Sequence, residues 1–205
     1  MNGGKIIKVC GMRDGENIAA VDALGIDMMG FIFYDKSPRC VAWLPSAMPR
    51  NARRVGVFVN ATQSEISSRI NQFELDYVQL HGAETPEFCS AINALGVRVI
   101  KAFSVSEEFD FKSVEPYVAC CELFVFDTKC CGYGGSGEQF DWHLLDGYSS
   151  ETPFLLSGGI DAGSVPSLKA FDHPSLAGYD LNSRFEVAPA LKDVGLLTTF
   201  LEQLK

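Results

Sequence analysis

The chain has 205 residues, 47% hydrophobic and 21% charged, with a formal net charge of −9. That is enough chain to bury a full core, and the acidic balance argues against nucleic acid or an anionic membrane as a partner, so an anionic substrate would need local donors. No apolar run approaches the ~20 residues that cross a bilayer. The opening MNGGKIIKVCG has neither the apolar stretch nor the cleavage site of an export signal, which predicts a cytoplasmic protein. Seven cysteines, with adjacent pairs at Cys120, Cys121 and Cys130, Cys131, are an odd count; reduced thiols are expected rather than a disulfide framework.

In chain order, short apolar and β-branched runs begin at KIIKVCG (5), MMGFIF (28), RRVGVFV (53), YVQLHG (77), RVIKAF (98), LFVFDT (123), PFLLSGG (153) and AGYDLNS (177). Helix signals lie between most of them. TQSEISSRI carries a capping-box pattern from Thr62 to Glu65, and TPEFCSAINALG offers Thr85 as cap, Pro86 in the first turn and Gly96 as the stop. The last segment, DVGLLTTFLEQLK, sets Val194, Leu197, Phe200, Leu201 and Leu204 on one helical face. Two units are defective. VAWLPSAMPRN holds Pro45 and Pro49 too close together for a long second helix, and SEEFDFKSVEPYVACC lacks a clear helical period in the fifth position.

Eight strand–helix units with near-continuous apolar strands predict one α/β domain over residues 1–205, a closed (β/α)8 TIM barrel with a shortened helix 2 and an irregular helix 5 region. An open doubly wound sheet would require G-x-G-x-x-G after the first strand, where CGMRDGEN stands instead. Function in such a barrel collects at the strands' C-terminal ends. Those ends carry Cys10, Phe33, Asn60, His81, Phe103, Asp127, then Ser157 with Gly158 and Gly159, and Asn182 with Ser183. LSGGI and DLNSRFE end strands seven and eight, where barrels often bind phosphate through backbone N–H groups, and GYGGSG at 132–137 is placed to close over the same group.

Taken alone, Cys10 reads first as a buried apolar filler; a role as base needs a nearby cation or helix start to lower its pKa. Asp127 reads as a loop carboxylate or, after Leu123 to Phe126, as a partly desolvated acid with a pKa shifted upward. Strand parity turns both Lys8 and Asp180 inward, and their pairing inside the barrel is expected.

The ordered set KVCGM, GFIFYDKSPR, VGVFVN, YVQLHG, VIKAF, FDTKCCGYGGSGEQFDW, LLSGGI and DLNSRFE resembles phosphoribosylanthranilate isomerase over essentially the whole chain. The resemblance implies a cofactor-free, metal-free Amadori rearrangement of N-(5-phosphoribosyl)anthranilate to 1-(2-carboxyphenylamino)-1-deoxyribulose 5-phosphate in tryptophan biosynthesis. It implies Asp127 as the acid that protonates the furanose ring oxygen, and Cys10 as the base that takes the C2′ proton. Arg39 would pair with the anthranilate carboxylate, a task suited to a planar guanidinium. The phosphate would lie against Gly135, Ser136, Gly158, Gly159, Asn182 and Ser183.

His81 is expected to line the pocket as a substrate-binding residue, with an orienting or structural role weighed equally against a catalytic one, and Arg184 to point to solvent. Adjacent cysteines without C-x-x-C spacing make a poor tetrahedral site, so no metal is expected. Apart from the small-molecule substrate no partner is implied, and the chain is expected to be a monomer or homodimer. Two other functions fit a phosphate-binding barrel. An aldose–ketose isomerase that works with two aspartates is disfavoured by Cys10, and a non-catalytic phosphometabolite binder by having both catalytic positions filled.

Overall fold

The computed structural model describes residues 4–128 and 142–205. Strand β1 (Ile6–Cys10) pairs in parallel with β2 (Met28–Ile32), and the ladder continues through β3 (Arg53–Phe58), β4 (Tyr77–Leu80) and β5 (Arg98–Val105). It runs on through β6 (Leu123–Thr128), β7 (Phe154–Ser157) and β8 (Leu176–Leu181). Strand β8 then pairs with β1, which closes the barrel.

The uninterrupted apolar character of these strands resolves into two alternating sets. On β6, Leu123 and Val125 join Met28, Val55, Tyr77, Ile100 and Leu155 in the barrel interior. Phe124 and Phe126 belong to the larger outer core beneath the helices, where Phe126 meets Tyr148 and Phe154 with ring centroids 4.9 and 5.0 Å apart. Asp127 has the inward parity of Leu123 and Val125, one step beyond the last apolar layer. The strand's sequence thus delivers a carboxyl to the mouth.

Helix α1 (Gly15–Asp22) is capped by Asp14, and α2 (Gln63–Phe73) by the full Thr62–Glu65 capping box. Helix α3 (Pro86–Asn93) starts from Thr85 with Pro86 in its first turn. Gly96, at φ +84°, lies just beyond its end. After the short α4 (Val165–Ala170), helix α5 (Val194–Leu204) is capped by Asp193 and buries Leu197, Phe200 and Leu201.

The weak units are more irregular than the sequence suggested. Between β2 and β3 there is no helix at all, where a shortened one was expected. Pro38, Pro45 and Pro49 deny that segment a continuous hydrogen-bond run. The Asp22 carboxylate fastens its end instead, accepting from the backbone N–H groups of Arg50, Asn51 and Ala52. The fifth connection is a 3-10 turn, Phe111–Tyr117, with Pro116 inside it, and a second 3-10 turn, Trp142–Gly147, precedes β7. A two-stranded hairpin, β9 (Glu186–Ala188) with β10 (Leu191–Lys192), follows β8 and was not foreseen.

The expected inward pair is present. Lys8 and Asp180 are register partners on β1 and β8, and Lys8 Nζ donates to Asp180 Oδ2 at 2.6 Å. Lys8 is fully buried and Asp180 nearly so. Removing one member of such a pair strands the other charge. Lys8→Met is expected to cost about 3–5 kcal/mol in urea unfolding, with the Lys8→Met/Asp180→Asn double variant regaining part of that loss. A double variant no more stable than the single one would refute mutual compensation.

Candidate active site

Cys10, His81 and Asp127 line a cavity of about 220 Å³ at the C-terminal mouth of the barrel. The rest of its wall includes Ser157–Ile160 and Asn182–Arg184, from the ends of β7 and β8, which lie between the strands of Asp127 and Cys10. The structure thus brings together eight residues that the sequence marked at the ends of strands one, four, six, seven and eight: Cys10, His81, Asp127, Ser157, Gly158, Gly159, Asn182 and Ser183.

Cys10 ends β1 with its side chain almost fully buried. Room for the thiol comes from the neighbouring strand rather than from Gly11. Gly30 faces Cys10 in register, and a Cβ there would lie 2.7 Å from Sγ. Gly11, at φ +79°, instead admits Arg39, because a Cβ on it would lie 2.7 Å from Arg39 Cδ and 2.9 Å from Asn182 Oδ1. Burial pushes the Cys10 thiol above its usual pKa; Lys8 and Lys192 pull it down, and Asp180 adds to the rise. The cations that a base requires are present, yet desolvation outweighs them in the ligand-free protein.

Asp127 is half-buried, with 29% of its side chain accessible, and its Oδ2 lies 3.5 Å from His81 Nε2. The other ring nitrogen of His81 lies 3.2 Å from Gln79 Nε2. The Gln79 amide thus holds one edge of the His81 ring while the other edge, Nε2, faces the Asp127 carboxyl. Gln79 is buried beneath His81, and its Oε1 has no partner among the described residues.

After β7, Gly158 and Gly159 take φ values of +90° and +68°. Glycine at both positions lets the backbone approach an anion closely, and a side chain at either would be strained. The short 3-10 turn Ser183–Phe185 follows Asn182 directly. Arg184 is exposed, as expected, but its exposed position is also part of the cavity wall. Gly135 and Ser136 lie outside the described residues, as do Cys130 and Cys131.

Arg39 does not line this cavity. Its Nε and Nη2 clamp Glu186, with Nε at 2.9 and 3.0 Å from the two carboxylate oxygens and Nη2 at 2.6 Å from Oε2. Lys192 Nζ donates to Glu186 Oε1 at 2.6 Å and to Asn182 Oδ1 at 2.8 Å. Burial works against the Glu186 carboxylate, but its bonds to Arg39 and Lys192 hold it below the usual range. Lys192 is nevertheless pulled down, because burial is its largest influence and it shares its one carboxylate with Arg39. The two directions agree physically: one anion serves two cations.

Glu186, Lys192 and Gln79 are therefore site residues that the sequence reading missed. Gln79 had a usable signal, being two residues before His81 on one strand and so on the same face. Glu186 and Lys192 had none, since an unpredicted hairpin delivers them. Among the described residues, the group of donors that converges as a metal could use is Cys89, Cys120 and Cys121, outside this mouth.

A family model described as N-(5′-phosphoribosyl)anthranilate (PRA) isomerase matches residues 7–203. An N-(5′-phosphoribosyl)anthranilate isomerase of Phocaeicola vulgatus is 50% identical over 200 residues, spanning 98% of each chain. The crystal structure of phosphoribosyl anthranilate isomerase from Thermotoga maritima superposes with a TM-score of 0.81 at 33% identity, covering 98% of both chains. A phosphoribosyl anthranilate isomerase solved in complex with reduced 1-(o-carboxyphenylamino)-1-deoxyribulose 5-phosphate superposes with a TM-score of 0.78 at 29% identity, again over 98% of both. By model, sequence and fold alike, this chain belongs to the N-(5′-phosphoribosyl)anthranilate isomerase family.

Proposed function

We propose that the chain converts N-(5-phosphoribosyl)anthranilate to 1-(2-carboxyphenylamino)-1-deoxyribulose 5-phosphate, with Asp127 as acid and Cys10 as base. The observation that carries this reading is that a thiol and a carboxyl share one cavity, whose wall between their two strands includes a glycine pair that lets the backbone approach a phosphate. Asp127 gives its proton to the furanose ring oxygen as the C1′–O bond breaks, and the anthranilate nitrogen lone pair forms the C1′=N⁺ bond. Cys10 takes the C2′ proton, the electrons move into C1′=C2′, and the cationic imine becomes a neutral enolamine. Loss of the 2′-hydroxyl proton and protonation at C1′ then give the ketone. The sum is an isomerisation with no atom gained.

The raised thiol fits this order of events. Only when the cationic imine forms beside Cys10 does a further positive charge join Lys8 and Lys192 against the burial effect, so the base is activated by the intermediate it attacks. His81, held by Gln79, orients the Asp127 carboxyl. Gly158, Gly159, Asn182 and Ser183 receive the phosphate. Arg39 receives the anthranilate carboxylate; Glu186 occupies its Nε–Nη2 edge, which leaves the Nη1 end for the ligand. An aldose–ketose isomerase built on two carboxylates finds no second one at position 10. No helix among the described residues is long and apolar enough to cross a membrane, and the reading carries with it a cytoplasmic enzyme.

A fluorescence assay that follows disappearance of phosphoribosylanthranilate tests these roles. Cys10→Ala and Asp127→Asn are each expected to lower kcat by ~10²–10⁴ with unfolding midpoints close to wild type; turnover at the wild-type rate in both would remove the assigned chemistry. Arg39→Ala should raise KM more than it lowers kcat, and an unaltered KM would count against its carboxylate role. Because burial raises the Cys10 thiol in the free enzyme, the thiolate fraction grows with pH well past neutrality. The ratio kcat/KM should therefore climb on the alkaline side of pH 7, and a profile already flat there would contradict the upward shift.

A further inference from the structure

Outside the mouth, three thiols converge. Cys89 comes from the first turn of α3, and Cys120 and Cys121 come from the turn that leads into β6. Their sulfur atoms all lie within 4.8 Å of one another, with Cys120 and Cys121 at 3.9 Å. Cys89 is completely buried, and the other two retain 6% and 7% exposure, which leaves a narrow approach from solvent. Free cysteines are often buried one at a time as small hydrophobes. Three that meet sulfur to sulfur from segments about thirty positions apart form a donor set. The spacing of the two paired dipeptides in the sequence gave no hint of it, because Cys89 is remote in the chain.

We propose that Cys89, Cys120 and Cys121 bind one soft d10 metal ion, of the monovalent copper class, in three-coordinate thiolate geometry. Thiolate sulfur selects such ions over oxygen-seeking ones. With metal–sulfur bonds of about 2.3 Å at 120°, the sulfurs sit roughly 4 Å apart, so no side of the triangle needs to close by more than about 1 Å. Among the described residues no fourth histidine, cysteine or carboxylate joins the group. Outside the trio, the Cys120 thiol meets the Tyr117 carbonyl at 3.3 Å and the Ser90 side chain. Structural zinc asks for four ligands, so a trigonal ion suits this site better. Binding replaces thiol protons, which leave to solvent, and changes no oxidation state. Cys121 stands six residues before Asp127, roughly 20 Å along an extended strand, so occupancy of this site is independent of the isomerase chemistry.

The test uses the full chain, reduced and kept anaerobic, titrated with monovalent copper against bicinchoninate. Wild type should take up one ion per chain at this site, with X-ray absorption showing three sulfur neighbours, and should hold Zn(II) much more weakly. Cys89→Ala and Cys121→Ala, checked for folding by circular dichroism, should lose that ion, whereas the Cys130→Ser/Cys131→Ser double variant and Cys40→Ser should keep it. A two-sulfur spectrum on wild type would overturn the proposal without recourse to any variant. So would retention of the ion by Cys89→Ala, its loss in the Cys130→Ser/Cys131→Ser chain, or zinc bound as tightly as copper.

Discussion

Alternation of side chains along a strand, combined with closure of eight strands in fixed register, is the constraint from which the remainder of the molecule follows. A one-residue slip would send an entire row to the other face. In the register observed, the inward row of β1 runs Ile6, Lys8, Cys10, that of β4 runs Tyr77, Gln79, His81, and that of β6 runs Leu123, Val125, Asp127. Each row begins apolar or packed and ends polar. The site is thus the top layer of the barrel's own packing, and its polar groups rest on residues whose positions the core already determines.

That origin explains the electrostatics around Cys10. A thiol one step above a buried ammonium–carboxylate pair meets opposing influences: Lys8 and Lys192 favour its anion, while Asp180 and desolvation disfavour it. The Lys8–Asp180 pair is internally neutral and so contributes little net field, leaving burial to dominate. A second cluster, Arg39, Glu186 and Lys192, has an excess of one positive charge. It adjoins Asn182 at the end of β8, where an anionic ligand group would add the missing negative charge. The overall charge of −9 says nothing about this local balance, which is set within a few ångströms.

Much of the fold was legible because its cues are local. Strand starts agree with the sequence to about one residue at Ile6, Phe154 and Leu176, and the caps at Thr62 and Thr85 act as their patterns predict. Elements fixed by tertiary contact were not legible. Prolines warned of a poor second helix, but its complete absence depends on Asp22 satisfying three backbone donors from another element. The β9–β10 hairpin has too little chain to show a period, and with it went Glu186 and Lys192. Cys10 and Asp127 could be marked as strand ends, whereas their chemical roles came from the family resemblance. The meeting of Cys89 with Cys120 and Cys121 was invisible for the reason any long-range cluster is: spacing along the chain does not report proximity across the packed helix layer.

The account stands or falls on whether the thiol and the carboxyl address one ligand from the positions assigned to them. A crystal structure of this chain with the reduced rearrangement product tests that directly. It should show the phosphate on the backbone of Gly158, Gly159 and Ser183, with the Cys10 sulfur beside C2′ and the Asp127 carboxyl beside the hydroxyl derived from the ring oxygen. A ligand bound with its phosphate elsewhere, or with C2′ out of reach of residue 10, would contradict it.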